Sequence, residues 1–212
     1  MDYNNIQIPQ EVIDYPGILS YKDLQLLTYY ATKAKHGIVE IGCHTGKSTL
    51  ALLVGSNLVF GSNVDVLSID SFDPSYDNHD WVTLIDTFGK PIAFKQEKIK
   101  SAKEFFIENI SDEFSRNKLF AMTSDEAISN IPEWFKYDLL FIDGDHSLQQ
   151  VTKDVLNYIP RLEDDGIIIF HDYPTEKGVR QVVDILDPYA EKYGLCVVIK
   201  KEKIKNKIKE VL

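Results

Sequence analysis

Short apolar runs alternate with longer amphipathic stretches along most of the chain. The runs GIVEI (37–41), VDVLSID (64–70), KLFAM (118–122), YDLLFID (137–143), GIIIFHD (166–172) and LCVVIKK (195–201) are short and rich in β-branched and aromatic residues, which predicts strands. Between them lie stretches of helical periodicity: DLQLLTYYATKAK (23–35), KSTLALLVGSNL (47–58), DEAISNI (125–131), SLQQVTKDVLNYI (147–159) and VRQVVDILDPYAEKY (179–193). Ser20, with Asp23 three residues on, caps the first of these, and Pro188 kinks or breaks the last. From 71 to 117 the pattern is less regular. SFDPSYDNHD reads as a polar surface loop, and IKSAKEFFIENI (99–110) as an amphipathic helix with Phe105, Phe106 and Ile110 turned inward.

Strands apolar on both faces, alternating with helices, predict an α/β fold: a doubly wound, mostly parallel sheet with helices on both faces. No repeat or flexible linker divides the chain, so one domain is expected over 1–212, with a helical segment at 1–36, the α/β core at 37–200 and a basic tail at 201–212. In the tail, Ile204, Ile208 and Val211 share one helical face, which predicts packing on the chain's own domain or on a second subunit of a homo-oligomer.

Charge narrows the function. The 33 Asp and Glu outnumber the 23 Lys and Arg, and a net charge of -10 repels polyanions, which favours a small-molecule acceptor over nucleic acid. No apolar run reaches the roughly 18 residues of a membrane span, so no membrane role is expected. The N-terminal stretch lacks the features of a secretory signal, and Cys43 and Cys196 are the only cysteines, which together point to the cytoplasm.

In a doubly wound sheet, ligands collect at the carboxyl ends of the parallel strands. Those ends carry Glu40 and GCHTG, then Asp70, then Asp143, Gly144, Asp145 and His146, then His171 and Asp172. Three of the five histidines, His44, His146 and His171, therefore converge on one rim. In VEIGCHTGKST, Gly42 and Gly46 permit a tight turn and close approach of a ligand, and the following helix offers free N–H groups. The motif nearly mimics a phosphate-binding P-loop, but that loop needs glycine where Ile41 stands. Asp70 is placed like the acidic residue that binds ribose hydroxyls in nucleotide-binding folds; a strand-end Asp that only starts a turn has the same appearance.

On VEIGCHTGKSTLAL, SIDSFDP, and YDLLFIDGDHSLQQVTKDV followed by GIIIFHDY, the chain resembles the class I S-adenosylmethionine-dependent methyltransferases over about 18–179. Within them it is similar to the small catechol-type and macrolide-sugar-type O-methyltransferases, methyltransferase family 24 among them. Many class I members carry a third glycine where this chain has His44, whereas the catechol-type branch commonly keeps the outer two. The resemblance implies O-methylation of a small-molecule or sugar hydroxyl. It places Glu40, Gly42, Gly46 and Ser48 around the methionine portion of S-adenosylmethionine, Asp70 at the ribose hydroxyls and Ser124 and Asp125 beside the adenine, with His44 and Ser71 also among the cofactor-binding residues. It also implies a divalent cation such as Mg2+ on Asp143, His171 and Asp172, although relatives usually have a carboxylate at the position of His171. Asp143 and His146 are the implied catalytic pair, His146 being the base.

The chemistry of the residue types agrees. Two carboxylates suit magnesium, and a histidine near neutrality can take a hydroxyl proton. Asp145 and His146 can equally cap the helix that starts near Ser147, a role that needs no substrate. A P-loop-like nucleotide-binding enzyme and a non-catalytic domain of the same fold are the competing readings. Acceptor specificity is expected in the N-terminal residues and in 71–117, where Tyr76, His79, Trp81 and Phe88 can wall a pocket for a sugar or aromatic ring, although scattered aromatics more often belong to the core.

Overall fold

A computed structural model describes residues 3–58, 64–73, 101–111, 114–205 and 207–208. Its helices are α1 (Gln10–Asp14), α2 (Tyr21–Ala31), α3 (Lys47–Asn57), α4 (Ala102–Phe106), α5 (Ser124–Asn130), α6 (Leu148–Tyr158), α7 (Lys177–Leu186) and α8 (Lys201–Ile204). Its strands are β1 (Gly37–Ile41), β2 (Asp65–Ile69), β3 (Asn117–Phe120), β4 (Tyr137–Ile142), β5 (Leu162–Phe170), β6 (Glu191–Tyr193) and β7 (Cys196–Lys200). They form a seven-stranded sheet in the order β3-β2-β1-β4-β5-β7-β6. The first five are parallel, and β7 joins β5 antiparallel, with β6 outside it. This is the mostly parallel, Rossmann-like arrangement expected from the alternation of runs.

Burial explains why those runs were so apolar. Every residue of β1 is buried, because helices cover both faces of the sheet. One core packs α2, α3 and α4 against Ile38, Val66 and Phe141, and the other packs α5, α6 and α7 against Val39, Leu140 and Ile168. In α7 the buried Val179, Val182, Val183 and Leu186 follow helical spacing. The capping box at Ser20 and Asp23 is present at the start of α2.

Two expectations change. The helix expected over 179–193 ends at Leu186, because Asp187 is extended before Pro188, and EKY forms β6 on the edge of the sheet. The helix expected over 99–110 is only one α-helical turn, followed by a π-turn at Ile107–Ser111. There Phe106 and Ile110 are buried and Phe105 lies half-buried, edge-on to Tyr15.

At the other end of the chain, Ile204 is fully buried against the second core, with Ile208 beside it, so this part of the tail packs on its own chain. Val211, Tyr76, His79, Trp81 and Phe88 lie outside the described residues. Both cysteines are free and buried, and among the described residues no helix is long and apolar enough to cross a membrane.

Candidate active site

The strand order reverses between β1 and β4, and a cavity of about 630 Å³ opens over their carboxyl ends. Gly42 shapes its floor. With φ at 88° and space for a Cβ closed by the Asp143 carbonyl oxygen at 2.0 Å, it lets the end of β1 lie directly against that of β4. Gly46, at φ 99°, caps α3. Among the described residues, the non-glycine positions with positive φ are His44, Phe72 and Asp172, which follow β1, β2 and β5 at this same rim. Such backbone persists only where surrounding structure holds it, and here hydrogen bonds do so. Asp70 accepts the His44 backbone N–H at 2.8 Å on one carboxylate oxygen and the Phe72 backbone N–H at 2.7 Å on the other. Each oxygen keeps lone pairs for a further donor.

The expected cofactor positions divide. Gly42, His44, Ser48, Asp70, Ser71, Ser124 and Asp125 line the cavity, whereas Glu40 and Gly46 do not. Glu40 is fully buried behind the turn, where Oε2 accepts the hydroxyls of Thr49 at 2.6 Å and Ser68 at 2.9 Å. Burial pushes its carboxyl up to about 7 against those hydroxyl donors. Lys47, the P-loop-like lysine, is buried, and its ammonium donates to the Ile13 carbonyl at 3.0 Å. An ammonium committed to a backbone carbonyl does not suit a phosphate cradle.

The opposite side of the cavity gathers ionisable groups. His146 Nε2 lies 3.5 Å from Asp143 Oδ1 and 3.6 Å from Asp172 Oδ2. His171 Nδ1 lies 3.1 Å from Asp143 Oδ1 and 3.4 Å from Asp172 Oδ2, and its Nε2 lies 3.6 Å from Asp23 Oδ2. Burial penalises the His171 cation, but the charges and hydrogen bonds of Asp143, Asp172 and Asp23 outweigh it and hold the ring well above the ordinary histidine range. The Asp143 carboxylate beside it likewise raises His146, against the effect of burial. Burial would raise Asp143, yet the two histidines hold its carboxyl below the usual range.

One ligand atom each from Asp143, His146 and Asp172 can be chosen so that all lie within 4.8 Å of one another. His146 thus joins the two expected carboxylates, whereas His171 turns one nitrogen towards them and the other towards Asp23. Helix capping falls to Ser147, whose hydroxyl accepts the Gln150 N–H at 3.2 Å; Asp145 accepts the Ser147 N–H at 2.7 Å. His146 is not needed for either bond.

The sequence model of a family described as Methyltransferase domain matches residues 39–173, well over half the chain. The chain belongs to that family. As expected of this methyltransferase-domain protein, the fold recurs in solved structures, whereas the comparison with curated proteins found no match. SAH-bound PaMTH1 of Podospora anserina, a methyltransferase, aligns with a TM-score of 0.52 at 18% identity over 80% of this chain. This chain spans only 64% of that one. An O-methyltransferase from Bacillus cereus in complex with SAH gives a TM-score of 0.55 at 15% identity, over 91% of this chain and 80% of its own. CalS11, a TDP-rhamnose 3′-O-methyltransferase of calicheamicin biosynthesis, gives 0.58 at 14% identity, over 94% and 89%.

Some residues around the methyltransferase-domain cavity carried no clear signal in sequence. Asp23 read only as a cap, yet it also accepts the Leu195 N–H at 2.9 Å and faces His171. Asp154 lies fully buried on the inner stripe of α6 beside Val151, Val155 and Tyr158. A carboxylate at an apolar position of a helical repeat was the available clue.

Proposed function

We propose that this chain transfers the methyl group of S-adenosylmethionine to a hydroxyl oxygen of a small-molecule or sugar acceptor. The observation that carries the reading is that Asp70 and His146 line one cavity at the switch in strand order, one suited to ribose hydroxyls and the other to a hydroxyl proton. Family membership and the likeness of fold to O-methyltransferases support it.

In the transfer, the acceptor oxygen attacks the methyl carbon in line with the sulfonium. The new O–CH3 bond forms as the S–CH3 bond breaks, and its electron pair stays on sulfur to give S-adenosylhomocysteine. The hydroxyl proton passes to His146. Its Nε2 faces Asp143 and Asp172, so Nδ1, which has no partner among the described residues, takes the proton, and the two carboxylates stabilise the imidazolium.

A metal-assisted variant is favoured by one specific observation. His146 Nε2 is buried without a hydrogen bond among ligand atoms of Asp143 and Asp172, and two carboxylates with an imidazole suit a divalent cation such as magnesium or manganese. Asp143, His146 and Asp172 would hold it, and when bound it would supply Lewis acidity that eases loss of the substrate proton.

The test is thermal unfolding in the presence of S-adenosylhomocysteine, ATP with magnesium, or buffer alone. Only a ligand that favours the folded state raises the melting temperature. A rise with S-adenosylhomocysteine alone is expected; a rise with ATP and none with S-adenosylhomocysteine would refute the proposal.

A further inference from the structure

The buried stripe of α6 holds a carboxylate where an apolar residue would ordinarily pack, and its hydrogen bonds run in one direction. Asp154 Oδ1 receives the Ser124 hydroxyl at 2.6 Å and the Gln150 amide Nε2 at 3.1 Å. Gln150 Nε2 also donates to Ser124 Oγ at 3.0 Å. Ser124 has one hydroxyl proton and spends it on Asp154, so towards Gln150 its oxygen can only accept. Both protons of the Gln150 amide are thereby used. Turning the amide over would set its oxygen against the Asp154 carboxylate, two acceptors face to face, so the orientation is fixed. Tyr158 secures the arrangement from behind, its hydroxyl donating to the Ser124 carbonyl at 2.7 Å.

What remains is Gln150 Oε1, an acceptor that receives no hydrogen bond among the described residues, on a side chain that lines the cavity with Ser124 and Asp154. Asp70 follows β2 and Ser124 follows β3, the neighbouring strand, so a nucleoside with its ribose on Asp70 can extend its base towards Ser124 and Gln150.

We propose that Gln150 determines base specificity, its Oε1 accepting the 6-amino N–H of adenine, with Asp154 and Ser124 holding the amide in the one orientation that presents this oxygen. The assignment rests on the S-adenosylmethionine reading above. A fixed acceptor selects a 6-amino group and rejects a 6-oxo group, which would place a second acceptor against it.

The probes are S-adenosylhomocysteine and S-inosylhomocysteine, which differ in that substituent and in the N1 proton that accompanies it, titrated calorimetrically into wild type and Gln150→Met, a near-isosteric change that removes the acceptor. Wild type is expected to prefer the adenosyl compound by about 30-fold or more, and Gln150→Met to shrink that preference at least about 10-fold, the scale of a lost hydrogen bond and a relieved repulsion. Gln150→Leu should repeat the result and serves if the methionine variant does not fold. A preference unchanged in a folded variant, or absent in wild type that binds both compounds, would overturn the assignment of Gln150 and leave the cofactor reading standing. Binding of neither compound to wild type would overturn the cofactor reading, and this assignment with it.

Discussion

The carboxylate of Asp23, in the first turn of α2, faces the imidazole of His171, just beyond β5, across 3.6 Å of buried space. The contact ties the N-terminal helical segment to the strand end that carries Asp172. Removing one partner of a buried pair leaves the other charged and unsolvated, which typically costs about 3 to 5 kcal/mol. His171→Leu is expected to lose stability on that scale, read as a lower urea midpoint. A loss below about 1 kcal/mol would show that the pair does not hold the two segments together.

Gly42 gives a second stability prediction. A Cβ there would meet the Asp143 carbonyl oxygen at 2.0 Å on a backbone at φ 88°, whereas at Gly144 the nearest atom is the side-chain Ile41 Cγ2 at 3.2 Å, a contact that a shift of a few tenths of an ångström relieves. Gly42→Ala should therefore cost well over about 1 kcal/mol and Gly144→Ala clearly less. Equal urea midpoints for the two variants would contradict this account of the turn.

Asp154 predicts a pH dependence. Burial pushes its carboxyl up to about 6; the charges of Asp125 on α5 and Asp145 before α6 add to this, while the hydrogen bonds from Ser124 and Gln150 oppose it. The folded state thus binds this proton more tightly than the unfolded chain does. The stabilisation is complete below the ordinary carboxylate range near pH 4 and is lost as pH rises through about 6. Asp154→Asn keeps the acceptor oxygen without the charge, so it should exceed wild type in stability by up to about 3 kcal/mol at pH 8, with little difference at pH 4. Melting curves at the two pH values test this, and a gap that fails to widen with pH would contradict it.

His146 carries the catalytic prediction. His146→Ala should lower turnover of a true acceptor by about 100-fold or more, the usual scale for a positioned base, while leaving S-adenosylhomocysteine affinity nearly intact. Activity that a chelator abolishes and magnesium or manganese restores would show that a divalent cation takes part. Activity unchanged by chelator would remove the metal, and turnover unchanged in His146→Ala would remove the base.

What sequence could show here follows from which signals are local. Strands buried on both faces appear as unbroken apolar runs, so β1, β2, β4, β5 and β7 were legible. The edge strand β6 was not, because Glu191, Lys192 and Tyr193 are strand only through pairing with β7. The same holds at the site. Asp70, Asp143 and Asp172 stood out because each follows an apolar run. Asp23, Gln150 and Asp154 did not, because a cap and two helical polar residues gain meaning only from the side chains the fold brings to them. Glu40 showed the converse: its motif was plain, yet its side chain turns from the cavity into the protein, towards Thr49 and Ser68.

The central claim is that S-adenosylmethionine binds with its ribose on Asp70. Calorimetric titration of S-adenosylhomocysteine into wild type and Asp70→Ala addresses it most directly, with circular dichroism to establish that the variant is folded. Saturable binding to wild type is predicted, weakened by about 1 to 3 kcal/mol in Asp70→Ala, the cost of removing the partner of buried hydroxyls. Wild type that binds no S-adenosylhomocysteine, or a folded Asp70→Ala that binds it equally well, would contradict the claim.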